Sequence, residues 1–277
     1  MRIRSYSFLI IILCGLLSHT CWADLLVSPT HLAFSERDRS KELILVNNGN
    51  EIRTYRLEWQ QKKALPTGGY ATLIGAQANE INKASPMIRF SPKQVTLAPN
   101  ERQVIRLGLR KPKNLADGEY RSHLLLKALP VKKKKDESQT GLGVNLKLRM
   151  SYSLPVLIKQ GKIDVKVDAV SADFIYDSKR QKGDVTVNFL RSGIHSSNGD
   201  ITAYWTPKNG NQTRLMIARL NAYSIYPEIE NSTIHLAWVG ANFVPSPGTL
   251  SILYAGKGIF SGEIFVDKSF ELTPSIK

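Results

Sequence analysis

The 277-residue sequence holds only two cysteines, Cys14 and Cys21, and both fall within its first 23 residues. Without that stretch the chain has no thiol, which excludes disulfides, thiolate metal ligands and cysteine nucleophiles. Its apolar run FLIIILCGLL, at 8–17, is shorter than the roughly 20 residues a membrane-spanning helix needs. No long window places apolar residues at spacings of three and four between helix caps, so helices are expected to be few and short. The signatures of catalysis are missing too. There is no G-x-S-x-G, no P-loop and no G-x-G-x-x-G, and GLGVNL follows a loop and lacks the third glycine. His123, His195 and His235 stand far apart, with no H-E-x-x-H and no local carboxylate spacing for zinc. The expectation is a protein with no catalytic residues, no metal site and no cofactor.

What is present describes a globular chain. Hydrophobic residues make up 42% and charged residues 22%, with 19 glycines and 13 prolines spread along the sequence, which excludes collagen-like, low-complexity and multi-span membrane classes. Lys and Arg number 38 against 23 Asp and Glu, a formal charge of +15 that suits an acidic partner, nucleic acid or an anionic membrane without choosing among them. Arg2 and Arg4, the apolar run and the small residues at Cys21 and Ala23 read as a cleavable secretory signal over residues 1–23, cut before Asp24. Its removal leaves 36 basic and 23 acidic side chains. Neither cysteine has the preceding small residue of a lipoprotein signal, so the exported product is expected to carry no membrane anchor.

From Leu25 onward apolar residues alternate with polar ones in KELILVNNG, IRTYRLEW, KQVTLAP, RQVIRLGLR and YRSHLLLKALP, punctuated by Gly, Asn, Pro and Asp. These are strands and turns, about seven of them up to Ile158, the number that fills one immunoglobulin-like sandwich. The pattern breaks at KQGK, 159–162, and restarts with IDVKVDAV, GDVTVNFLRSG, GDITAYW, TRLMIARL, STIHLAWV, GTLSILYAG and GEIFVDKSFEL. An all-β chain of two sandwich domains is predicted, at 24–158 and 162–277, joined by a break too short to act as a flexible tether.

One segment is unusual. In LGVNLKLRMSYSL, at 142–154, every even position is apolar and every odd one is Gly, Asn, Lys, Arg or Ser. Thirteen residues at about 3.3 Å each span roughly 43 Å, far longer than a common strand of about 5 to 6 residues. The charged, turn-prone VKKKKDESQTG before it reads as a loop. A long apolar edge beside a loop is a hazard that proteins normally suppress, so its retention suggests use; the alternative is a central strand buried in its own sandwich.

Taken together, VSPTHLAFSERDRSKELILVNNGNEIRTYRLEW, MIRFSPKQVTLAPNERQVIRLGLRKPKNLADGEYRSHLLLKALP, the alternating strand and VNFLRSGIHSSNGDI resemble the PapD-like periplasmic pilus chaperones of the chaperone/usher pathway over nearly the whole chain after residue 23. The resemblance implies two immunoglobulin-like domains set at an angle around a cleft. It also implies a periplasmic location, pilin-like subunits as partners and delivery to an outer-membrane usher. Such a chaperone lends a strand to a subunit whose sandwich lacks its last one. On that reading Leu142, Val144, Leu146 and Leu148 are the donated side chains, and Met150, Tyr152 and Leu154 belong to the protein's own core. The family holds the subunit's terminal carboxylate with an Arg on the first strand and a Lys on the last strand of the first domain. Here the first-strand position is His31, and the last strand offers Arg149 or Lys147. A histidine of ordinary pKa, about 6.5, would make such binding tighten on mild acidification.

Two other readings remain open on sequence. A structural or adhesive surface protein would also be a pair of sandwiches, distinguished by self-assembly. A polyanion-binding module would rest on the lysines at 132–135, which a solvated loop explains as well. Nucleic acid is not an expected partner, since aromatic residues are not interleaved with the basic ones.

Overall fold

The computed structural model describes residues 25–130, 149–208, 214–240 and 243–277. The signal-like stretch, the four donor residues Leu142, Val144, Leu146 and Leu148, Lys147 and the lysine run at 132–135 lie outside the described residues. Among the described residues there is no α-helix, only short 3-10 turns, and none is long and apolar enough to cross a membrane.

Ten strands build the first sandwich: β1 (Leu25–Ser28), β2 (Leu32–Phe34), β3 (Ser40–Asn47), β4 (Arg53–Ala64), β5 (Tyr70–Leu73), β6 (Ile88–Ser91), β7 (Gln94–Leu97), β8 (Arg102–Leu109), β9 (Gly118–Ala128) and β10 (Tyr152–Gln160). One sheet has the order β1-β3-β8-β6, the other β2-β10-β9-β4-β5 with β7 also on β4. The two-residue alternation explains the layering. Leu43, Leu45, Ile105 and Leu107 of one sheet meet Leu124, Leu126, Leu154, Val156 and Ile158 of the other in one core. Fully buried Asn47 joins the turns at one end, its amide nitrogen donating to the carbonyls of Glu51, Leu97 and Ala98.

The second sandwich follows as β11 (Lys166–Asp177), β12 (Lys182–Ser192), β13 (Gly199–Pro207), β14 (Leu215–Tyr223), β15 (Asn231–Trp238), β16 (Gly248–Gly256), β17 (Ile264–Leu272) and β18 (Ser275–Ile276). Its strands run in the order β17-β16-β13-β14-β15-β12-β11-β18, a sheet curled upon itself. Only Ala218–Trp238 and Arg219–Ala237 pair β14 with β15, so this is where one layer passes into the other. Phe174, Tyr176, Trp205, Trp238 and Phe243 form an aromatic cluster in its core, with ring centroids 5.1 to 6.1 Å apart.

The last strand of the first sandwich departs from the sequence expectation in two ways. β10 begins at Tyr152 and continues through Gln160, so Lys159 and Gln160 belong to the strand and not to a break. Leu154 is buried and Tyr152 packs against the core as expected, but Met150 is 57% exposed, ahead of the strand's first residue. The alternation itself persists. Even-numbered Leu154, Val156 and Ile158 point into the first core, while Leu157 packs into the second core with Ala64 of β4. The outward face of this sheet therefore supports the second sandwich.

Candidate functional site

The chain between β1 and β2 carries the first strand from one sheet to the other, because β1 pairs with β3 and β2 pairs in parallel with β10. The β2–β10 ladder covers only Val156–Leu32, Leu157–Ala33 and Ile158–Phe34. On its other side β10 is paired with β9 along its whole length, Tyr152–Leu126 to Gln160–Gly118. Among the described residues the outer edge of β10 from Ser153 to Pro155 thus has no strand beside it. Pro155 cannot donate a ladder hydrogen bond and marks the end of the parallel pairing, as proline does where it occurs in sheets.

His31 and Pro155, each one residue before the first β2–β10 pair, line a cleft of about 230 Å3 between the two sandwiches. Its other walls include Tyr70 from the β4–β5 hairpin and Tyr223, Ile225 and Tyr226 from the second sandwich. Tyr70 spans the gap: its hydroxyl lies 3.0 Å from the Tyr226 hydroxyl, and its ring packs edge-on against buried His123 at 4.7 Å. The hairpin is tied down further by Ala64 N–H donating to Glu228 Oε1 and Thr233 N–H donating to the Pro66 carbonyl, each at 3.0 Å.

The structure does not bring Arg149 and His31 together. Arg149 is exposed and lines a separate depression with Thr54, Ala128 and Met150. Nor does His31 supply a cation. Burial, and then the charge of Lys159, push its pKa down to about 4 against the opposing pull of Glu119. In the chain on its own this keeps the imidazole uncharged between pH 5.5 and 7.5. Its Nε2 is buried with no hydrogen-bond partner.

The cations near the junction are committed elsewhere. Lys159 Nζ donates to Glu119 Oε2 at 2.7 Å and to the carbonyl and hydroxyl of Ser196 at 2.8 and 2.9 Å, with both charged side chains almost wholly buried. Glu119 also accepts from the Ser196 amide and hydroxyl. Burial alone would raise the Glu119 carboxyl, but the Lys159 charge and these hydrogen bonds outweigh it and hold the group below its ordinary range. Arg121 pairs with Glu228, donates to the Lys62 carbonyl and lies 3.9 Å from the centroid of the Tyr226 ring, so it is not itself a wall of the cleft. Arg191 donates to the carbonyls of Gly193, His195, Pro227 and Ile229, bracing the loops of the second sandwich.

Sequence reasoning overlooked Lys159, Glu119, Arg121 and the three tyrosines. A signal existed for two of them: Glu119, Arg121 and His123 share one face of the strand in EYRSHLLL while Tyr120, Ser122, Leu124 and Leu126 share the other, which places charge on the face away from the core. Among the described residues no group of three His, Cys, Asp or Glu could hold a metal ion.

No family model and no curated protein sequence matches the chain. Solved structures similar to it include chaperones, each at low sequence identity. They include the SafB chaperone in complex with the Salmonella enterica SafA pilin, with 12% identity, 92% of this chain and 99% of that one covered, and a TM-score of 0.46. The E. coli chaperone DraB matches at 11% identity, 91% and 96% coverage and a TM-score of 0.44. The CsuC–CsuE chaperone and tip adhesion subunit pre-assembly complex of Acinetobacter baumannii matches at 12% identity, 92% and 100% coverage and a TM-score of 0.43.

Proposed function

We propose that the chain is a periplasmic chaperone that captures pilin-like subunits by lending them a strand and passes them to an outer-membrane usher for assembly into a surface fibre. Residues 24–158 serve as the capture domain and 162–277 as its companion. The observation that carries this reading is the edge of β10 at Ser153–Pro155, which among the described residues has no strand on the side away from β9, reaches the cleft at Pro155 and follows the alternating residues Leu142, Val144, Leu146 and Leu148 along the chain. An unpaired edge offers backbone donors and acceptors to a foreign sheet, and alternate apolar side chains fill that sheet's open core. Four such side chains represent about 6 to 12 kcal/mol of gross burial before association costs, enough for firm but reversible capture.

The reading is tested by recovering the tagged protein from its native periplasm and identifying co-purified proteins by mass spectrometry. The wild type is expected to bring down pilin-like subunits, and the variant Leu146→Asp/Leu148→Asp to stay folded and bring down none. Equal recovery by both proteins would contradict strand lending. Polymers of the chain itself, with no second protein, would favour a structural surface protein.

A further inference from the structure

The cleft has a property that an anchor for a charged chain terminus would not have: among the described residues no Lys, Arg, Asp or Glu lines it. His31 is kept uncharged by burial, and Pro155, one residue before the β2–β10 ladder begins, shares the wall with it. The Tyr223 phenol is pushed up to about 12 by burial and then by Tyr70, and burial likewise raises Tyr70, so both rings keep their protons. A carboxylate entering here would lose water and gain no cation, which is unfavourable for an ionised group. The walls instead present the rings of Tyr70, Tyr223 and Tyr226 with Pro155 and Ile225, around a volume suited to one ring-sized side chain. The edge of β10 at Ser153–Pro155, which among the described residues has no strand beside it, reaches the cleft at Pro155, so a polypeptide lying along that edge passes its mouth.

We propose that the cleft seats one uncharged aromatic side chain of the captured polypeptide, stacked among Tyr70 and Tyr223, in place of a charge-held terminal carboxylate. This rests on the capture reading and specifies what enters the site. Aromatic contacts of this kind are worth enough beyond area burial to change affinity about two- to tenfold.

The test titrates the full exported chain with N-acetylphenylalaninamide, N-acetylleucinamide and N-acetylglycine, following the ring-proton NMR signals of Tyr70 and Tyr223. Saturable shifts are expected with the phenylalanine probe, about fivefold weaker binding with the leucine probe and none with N-acetylglycine. Tyr223→Ala should reduce the phenylalanine probe to the leucine level, and Pro155→Lys should create binding of N-acetylglycine. The ranking on wild type decides the matter if either variant fails to fold. Tighter binding of N-acetylglycine, equal binding of the two amides, or no saturable shift with any probe would overturn the proposal. If capture still depends on Leu146 and Leu148 in that event, strand lending stands and only the occupant of the cleft is lost.

Discussion

Replacing Lys159 with methionine is expected to lower the stability of the protein by about 3–5 kcal/mol, the usual cost of breaking a buried ion pair from one side. The ammonium holds two sandwiches at once, through Glu119 on β9 and through the backbone and hydroxyl of Ser196 in the second sandwich. Its removal strands the Glu119 carboxylate in a buried site with the Ser196 donors alone. It also takes away the contact with the Phe260 ring, whose centroid lies 5.3 Å from Nζ. Urea unfolding followed by fluorescence should show an earlier midpoint, with the single transition dividing in two as the sandwiches lose their coupling. The double variant Lys159→Met/Glu119→Leu removes both charges and should recover at least half of the loss, since an apolar pair of similar volume avoids the desolvation penalty. A single variant within 1 kcal/mol of wild type, on the order of error for such measurements, would show that the pair does not hold the junction.

Neither the pair nor the cleft was fully legible in the sequence, and the reasons are physical. Alternation identified β3, β4, β8 and β9 because each has one face in a core, and a side-chain period of two survives any uncertainty about partners. It also carried the parity of the last strand: Leu154 is apolar and inward, and Val156 and Ile158 continue the same face. The break at KQGK was misplaced because Lys159 and Gln160 are polar, and polarity at a strand's end reads as a turn when the strand's outward face is assumed to be wet. Here that face is covered by the second sandwich, so a buried lysine looks like a surface one until Ser196, 37 residues away, is brought beside it. Pro155 was missed as a neighbour of His31 in the cleft wall because a parallel pairing of distant strands has no local signature. The chemistry of His31 was equally hidden, since its pKa depends on burial and on Lys159, neither of which alternation can report.

The second large effect is acid destabilisation above the range in which carboxylates titrate. Burial, then Lys159, lower His31 to about 4, while burial, then Arg121 and Lys62, lower His123 to about 3. Both folded values lie below the unfolded value of about 6.5, so between them the unfolded chain binds protons that the folded chain refuses. Stability is therefore complete above pH 6.5 and falls as the pH drops toward 3 to 4. At pH 5 the loss is about 2 kcal/mol for each histidine, or about 4 together. His123 is the better one to alter, because both its ring nitrogens are buried without a hydrogen-bond partner and a phenyl ring can occupy its place against Tyr70. His123→Phe is expected to halve the loss between pH 7.5 and 5, measured as urea midpoints across that range. An unchanged pH slope in the variant would show that His123 is not neutral in the folded protein.

These two effects concern the frame that holds the cleft and the open edge in place; the central claim is that the alternating segment is lent to another chain. Amide hydrogen exchange of residues 142–148, followed in the free protein and in its co-purified complex, reads that claim at the backbone. Strand lending predicts that protection of these amides rises strongly in the complex, while those of the second sandwich change little. Equal exchange in the two states, whether slow in both or fast in both, would contradict it.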